Sequence, residues 1–196
     1  MKFKIAIFAS GSGTNAEEII KYFIHHRSIE VVVVLTNNPD AFVIKRAQQF
    51  GIPFKVFDKG SLMNSDLILH TLSEYQVTHI VLAGFMWLIP GNIIQAFPNR
   101  IINIHPALLP KFGGKGMYGI KVHQAVRNAG ETETGITIHV IDEKYDEGRI
   151  VLQKKCAIES SDDPESIAAK VHQLEHAFYP RAIESWILET DSKASF

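Results

Sequence analysis

From its start to His105 the chain repeats one unit: a short run of β-branched and apolar residues, then a longer stretch whose apolar positions recur at helical spacing. Strands separated by helices cannot close into hairpins, so this rhythm dictates parallel strands joined by crossover helices. The spacing predicts strands at Lys4–Ala9, Ile29–Thr36, Phe54–Phe57, His79–Ala83 and Ile101–Ile104. Between them it predicts helices at Asn15–His26, Asp40–Phe50 and Ser61–Tyr75, and a turn or two of helix around Pro90–Phe97.

After Pro106 the pattern changes. The segment KFGGKGMYG is glycine-rich and reads as a loop before a helix at Ile120–Ala129. ETGITIHVID and GRIVLQKKCAI alternate apolar and polar residues around the acidic segment Glu143–Glu147, which makes an antiparallel hairpin at the sheet edge. A final helix, Pro164 to Leu188, carries an apolar stripe of Ile167, Val171, Leu174 and Phe178, and the polar end ETDSKASF is expected to fray. The fold class is therefore α/β, a Rossmann-like, mostly parallel sheet flanked by helices with an antiparallel edge hairpin. With 196 residues, 46% of them hydrophobic, one domain over residues 1–196 is expected.

Composition narrows the partners. Lys+Arg 20 against Asp+Glu 21 leaves no basic excess for sequence-independent nucleic-acid binding. No apolar stretch reaches the roughly 20 residues of a membrane span, since even HIVLAGFMWLIPG is interrupted by Gly84 and Pro90. A single cysteine, Cys156, excludes an internal disulfide, and the N-terminal residues do not continue into a secretion signal, so a cytoplasmic protein is expected. Cys156, in a predicted strand with no base in pattern beside it, reads as packed core.

Three stretches carry chemistry. FASGSGTNAEEI places Gly11 and Gly13 between a strand and a helix, where backbone N–H groups and the helix N-terminus favour a phosphate. It mimics a dinucleotide fingerprint but lacks the acidic residue expected about 20 positions on, because the second strand ends in Leu35-Thr36-Asn37. A plain glycine turn before a capped helix is the competing reading. In INIHPALLP, Asn103 and His105 share one face at the carboxyl end of a parallel strand, where such sheets bind ligands. An amide donor beside an imidazole can stabilise an oxyanion and move a proton, although both residues could simply bond local backbone. The acidic DEKYDEG, Asp142 to Gly148, could bring a carboxylate to His105, raise its pKa and hold it charged.

Taken together, GSGTN, LAGFM, NIHPALLP, GITIHVID followed by DEG, and LEHAFYP occur in the order of the phosphoribosylglycinamide formyltransferase family, which the chain resembles over nearly its whole length. The resemblance implies formyl transfer from 10-formyltetrahydrofolate, a co-substrate, to the amine of glycinamide ribonucleotide in purine biosynthesis, without a metal. It places the family's Asn–His–Asp set on Asn103, His105 and Asp146. It places the phosphate loop on Gly11, Ser12, Gly13, Thr14 and Asn15, and the ribose contact on Glu175. The folate pocket falls on Phe85, Met86, Trp87, Leu88, Ile89, Ile141 and Asp142.

The sequence departs from well-known relatives at Trp87, where a basic residue is usual, and in a longer loop after Lys111. It also lacks the arginine that some relatives direct at the folate tail, leaving Lys55, Lys59, Lys111 and Lys115 as substitutes. The loop Gly113 to Gly119 is expected to close over bound ligands. One rival remains in His172-Gln173-Leu174-Glu175-His176, an inverted zinc-protease spacing. Others are a transfer-RNA formyltransferase, a formyl-folate hydrolase and a non-catalytic nucleotide-binding module.

Overall fold

A computed structural model describes residues 2–64, 66–142 and 146–194, with backbone alone from Asp191 onward. Seven strands form one sheet in the order β3-β2-β1-β4-β5-β6-β7. The first five strands are β1 (Phe3–Phe8), β2 (Ile29–Thr36), β3 (Phe54–Val56), β4 (His79–Leu82) and β5 (Ile101–His105), all pairing in parallel. β6 (Glu133–Val140) and β7 (Ile150–Ala157) run antiparallel to their neighbours and form the expected edge hairpin. Residues 143–145 of its acidic connection lie outside the described residues.

Alternation along the central strands sends side chains into two separate cores. Ile5 and Ile7 of β1 face one layer with α1 (Thr14–Phe23) and α7 (Pro164–Ala194), while Ala6 and Phe8 face the other with α3 (Lys59–Asn64), α4 (Asp66–Glu74) and α5 (Gly91–Ala96). On β5 the same alternation buries Ile102 and Ile104 with α7 and leaves Asn103 and His105 on the opposite face, as expected from the sequence. Tyr179 of α7 fixes this arrangement by donating its hydroxyl to the Leu82 carbonyl at 2.9 Å, at the end of β4.

Helix boundaries differ from expectation where local bonding overrides the apolar pattern. α2 starts at Val43, not Asp40, because the Asn38 side chain accepts the Asp40 N–H and folds residues 38–41 into a turn. The predicted helix over residues 61–75 is helical on both sides of Ser65, as α3 and α4. α7 is helical through Ala194, beyond Leu188, and contains Pro180. α6 (Ile120–Asn128) follows the glycine-rich segment. No helix among the described residues is long and apolar enough to cross a membrane.

Candidate active site

The carboxyl ends of β1, β4 and β5 open into one cavity of about 700 Å³, whose lining includes Asn103, His105, Asp146, Glu175, the loop Gly11 to Asn15, and Phe85 to Ile89 with Ile141 and Asp142. Its lining combines two chemistries, the glycine loop with Glu175, and an apolar wall of Phe85 to Ile89 with Ile141.

The glycine loop is held from behind. The Gly11 carbonyl accepts the Val43 N–H at 3.2 Å, and the Ser12 carbonyl accepts Arg46 Nε at 2.8 Å. An ion pair between Arg46 and Glu17 ties α2 to α1. With the carbonyls engaged there, none of the N–H groups from Gly11 to Asn15 donates to another described residue, the arrangement an anion requires. Gly13 has φ 71°, and a Cβ there would lie 2.5 Å from Val43 Cγ2. Its glycine therefore serves the close packing of the loop on α2. A Cβ at Gly11, by contrast, would meet nothing within 4 Å.

Asn15 is buried and donates Nδ2 to Glu175 Oε2 at 2.8 Å, and His172 Nδ1 contacts the same oxygen at 2.7 Å. This raises the His172 pKa. Asn15 Oδ1 is buried without a hydrogen-bond partner among the described residues, an acceptor open to a ligand hydroxyl. His123, also in the cavity wall, is pushed down to about 4 by burial and then by His172. Glu175 is thus occupied by Asn15 and His172, and no group of His, Cys, Asp or Glu suited to a metal occurs among the described residues.

His105 is 3% exposed. Its Nε2 lies 2.8 Å from the Phe112 carbonyl, which only accepts, so Nε2 carries a proton. Nδ1 faces Asp146 Oδ2 at 3.6 Å. The sequence led us to expect a charged imidazole. Asp146 and the Phe112 carbonyl do raise the His105 pKa, but burial lowers it more, so the net direction is downward. Burial alone would raise the Asp146 carboxyl, but the His139 hydrogen bond, His105 and the Gly114 N–H at 2.9 Å together bring it below its ordinary value.

Neighbours that the sequence reading missed hold this group in place. Thr137, opposite His105 in the sheet register, donates to the Ala107 carbonyl at 2.7 Å and accepts the Leu109 N–H at 3.0 Å. Gln153 Nε2 adds bonds to the Leu109 carbonyl and to Thr137 Oγ1, so the turn after β5 is fixed by side chains of the hairpin. His139, opposite Asn103, reaches both Asn103 and Asp146. Strand alternation alone puts Thr137 and His139 on one face of β6; their partners are invisible without the pairing register.

In the apolar wall, Phe85 packs edge-on against Phe8 and Trp87, and Trp87 packs edge-on against Phe57. Ser10 Oγ accepts the Met86 N–H at 3.0 Å, coupling this wall to the glycine loop. Met86 is half exposed and Ile89 is buried in the core. Of the four lysines considered for the folate tail, Lys115 lines the cavity, whereas Lys111 pairs with Glu131 at 2.8 Å. Cys156 is half buried against the α7 core, and burial raises its thiol pKa.

Comparison with known proteins places the chain in one family. Residues 3–183 match the family described as formyl transferase. The chain is 42% identical over 192 residues to the chloroplastic phosphoribosylglycinamide formyltransferase of Arabidopsis thaliana, an alignment covering 92% of this chain and 64% of that protein. It is 39% identical to the phosphoribosylglycinamide formyltransferase of Bacillus subtilis, covering 92% and 93% of the two chains. The crystal structure of glycinamide ribonucleotide transformylase 1 from Geobacillus kaustophilus superposes with a TM-score of 0.85 at 34% identity, covering 93% of this chain and 97% of that one. The chain spans just under two thirds of the plant relative's length but nearly all of the bacterial ones, and on these matches it belongs to the formyl transferase family.

Proposed function

We propose that the protein transfers the formyl group of 10-formyltetrahydrofolate to the amine of glycinamide ribonucleotide, a step of purine biosynthesis in the cytoplasm. The observation that carries this reading is the position of Asn103, His105 and Asp146 in one cavity with an anion-seeking glycine loop and an apolar aromatic wall. The ribonucleotide phosphate meets the N–H groups of Gly11 to Asn15, and its ribose hydroxyls meet Glu175 and Asn15 Oδ1. The pterin of the folate lies along Phe85 to Ile89, with Ile141 and Asp142 on its other side.

In the reaction the substrate amine attacks the formyl carbon and the carbonyl oxygen becomes an oxyanion, which the Asn103 amide stabilises by donation. The amine must lose a proton as the new C–N bond forms. His105 keeps its Nε2 proton on the Phe112 carbonyl, so the proton of the amine is taken up at Nδ1, and the imidazolium formed there lies beside the Asp146 carboxylate, which offsets the cost of a buried charge. The same proton then passes to the folate nitrogen as its bond to the formyl carbon breaks. Transfer is direct, so neither a covalent enzyme intermediate nor a metal is required. Residues Gly114 to Gly119 line the cavity, and closure of the segment Gly113 to Gly119 over both substrates would keep water from the formyl group.

The purified protein incubated with glycinamide ribonucleotide and 10-formyltetrahydrofolate should yield the formylated ribonucleotide and tetrahydrofolate in equal amounts. Absence of transfer, or release of formate in place of the formylated product, would overturn the reading.

A further inference from the structure

His139 sits directly opposite Asn103 in the antiparallel register of β5 and β6, with its side chain only 1% exposed. Its Nε2 lies 3.1 Å from the Asn103 side-chain amide nitrogen and 3.6 Å from Asp146 Oδ1. Its Nδ1 is buried and has no hydrogen-bond partner among the described residues. A neutral imidazole has one N–H to place between these two nitrogens.

On Nδ1 the proton would be a buried donor with nothing to receive it, while the bare Nε2 would point its lone pair at the Asp146 carboxylate. Both are unfavourable. On Nε2 the proton points toward Asp146 Oδ1 and the Asn103 amide, and the cost shrinks to an unused acceptor at Nδ1. The carboxylate can only accept, which selects the Nε2–H form. That choice has a consequence for Asn103. A donor at 3.1 Å demands an oxygen in return, and the amide nitrogen and oxygen exchange places by a half-turn about the Cβ–Cγ bond. Asn103 Oδ1 therefore faces His139, and its NH2 group is directed into the cavity.

We propose that His139 is a positioning residue: its Nε2–H holds the Asn103 side-chain oxygen and so presents the Asn103 NH2 to the reacting carbonyl. Sequence offered no hint of this, since Asn103 and His139 are 36 residues apart and meet only through the strand register. The orientation stands on the geometry alone; its kinetic consequence rests on the formyl transfer proposed above. His105 is not part of the device, because its own proton is fixed by the Phe112 carbonyl.

Long-range proton–nitrogen correlation spectra of the protein labelled with 15N-histidine read the tautomer directly, with His139→Gln used to assign the ring. The expected result is a protonated Nε2 on His139; a bare Nε2 overturns the proposal. In formyl transfer, His139→Leu should lower kcat about tenfold, the scale of one misdirected hydrogen bond, with both KM values within about twofold of the unaltered protein. His139→Gln places an amide N–H where Nε2–H stood and should restore most of that loss. Equal kcat in the two variants, or losses confined to KM and thermal stability, would show a merely structural residue. If the unaltered protein transferred no formyl group, the proposed function would fail, while the tautomer measurement would still decide the orientation of Asn103.

Discussion

Asp146 Oδ2 accepts the Gly114 N–H at 2.9 Å and lies 3.6 Å from His105 Nδ1, so one carboxylate oxygen joins the imidazole to the glycine-rich segment after β5. Replacing its charge without changing its size should separate chemistry from binding. Asp146→Asn is expected to lower kcat by about a hundredfold, because the imidazolium formed during transfer loses its counter-charge. Steady-state kinetics combined with calorimetric binding of each substrate checks this; loss of binding in place of turnover would remove Asp146 from the chemistry.

The two loop glycines should respond differently. Gly11→Ala puts a methyl group into open space on the cavity side and should raise the dissociation constant of the ribonucleotide while sparing the folate. Gly13→Val strains a backbone with φ 71° and drives its Cβ into Val43, so its main effect should be a lowered Tm. Paired titrations and melting curves distinguish them. An equal loss of folate affinity in Gly11→Ala would mean that the phosphate does not bind this loop.

Glu175→Gln should raise KM for the ribonucleotide with kcat little changed, because a contact to ribose hydroxyls is the same in ground and transition states. The substitution also releases His172, whose pKa is raised by its bond to Glu175. In the variant that pKa should fall back, which histidine titration by NMR would register. An unchanged KM would place the ribose elsewhere.

Stability should depend on pH through His79, which is buried edge-on against Phe3 and Trp186 and lowered to about 4 by burial first and Arg100 second. The folded protein binds this proton less tightly than the unfolded chain. The contribution is therefore complete above an unfolded pKa of about 6.5 and is lost as pH falls from there toward 4. Tm should decline over that interval, and His79→Gln should flatten the decline. An unchanged slope in the variant would assign acid sensitivity to other groups, His123 foremost.

How much of this was legible in the sequence depended on the range of the interaction. Strand and helix periods, set by neighbours a few residues apart, located β1 to β5 and placed Asn103 and His105 on one face. At His105 sequence shows the neighbouring carboxylate, which raises the pKa, but not the burial that lowers it. Sequence places Gly13 in the phosphate loop but not against Val43 of α2, 30 positions away, whose side chain a Cβ at Gly13 would meet. Thr137, His139 and Gln153 had no local signature, since their roles arise only when β5, β6 and β7 pair in one register.

The central claim is that Asn103 and His105 act on charge and protons that appear only during transfer. Its most direct test is single-turnover formyl transfer, with both substrates saturating, by the unaltered protein and by Asn103→Ala and His105→Ala. The account predicts that each variant binds both substrates normally and transfers the formyl group about a hundredfold more slowly or worse. Variants that transfer at the unaltered rate, or that are slow only because a substrate no longer binds, would contradict it.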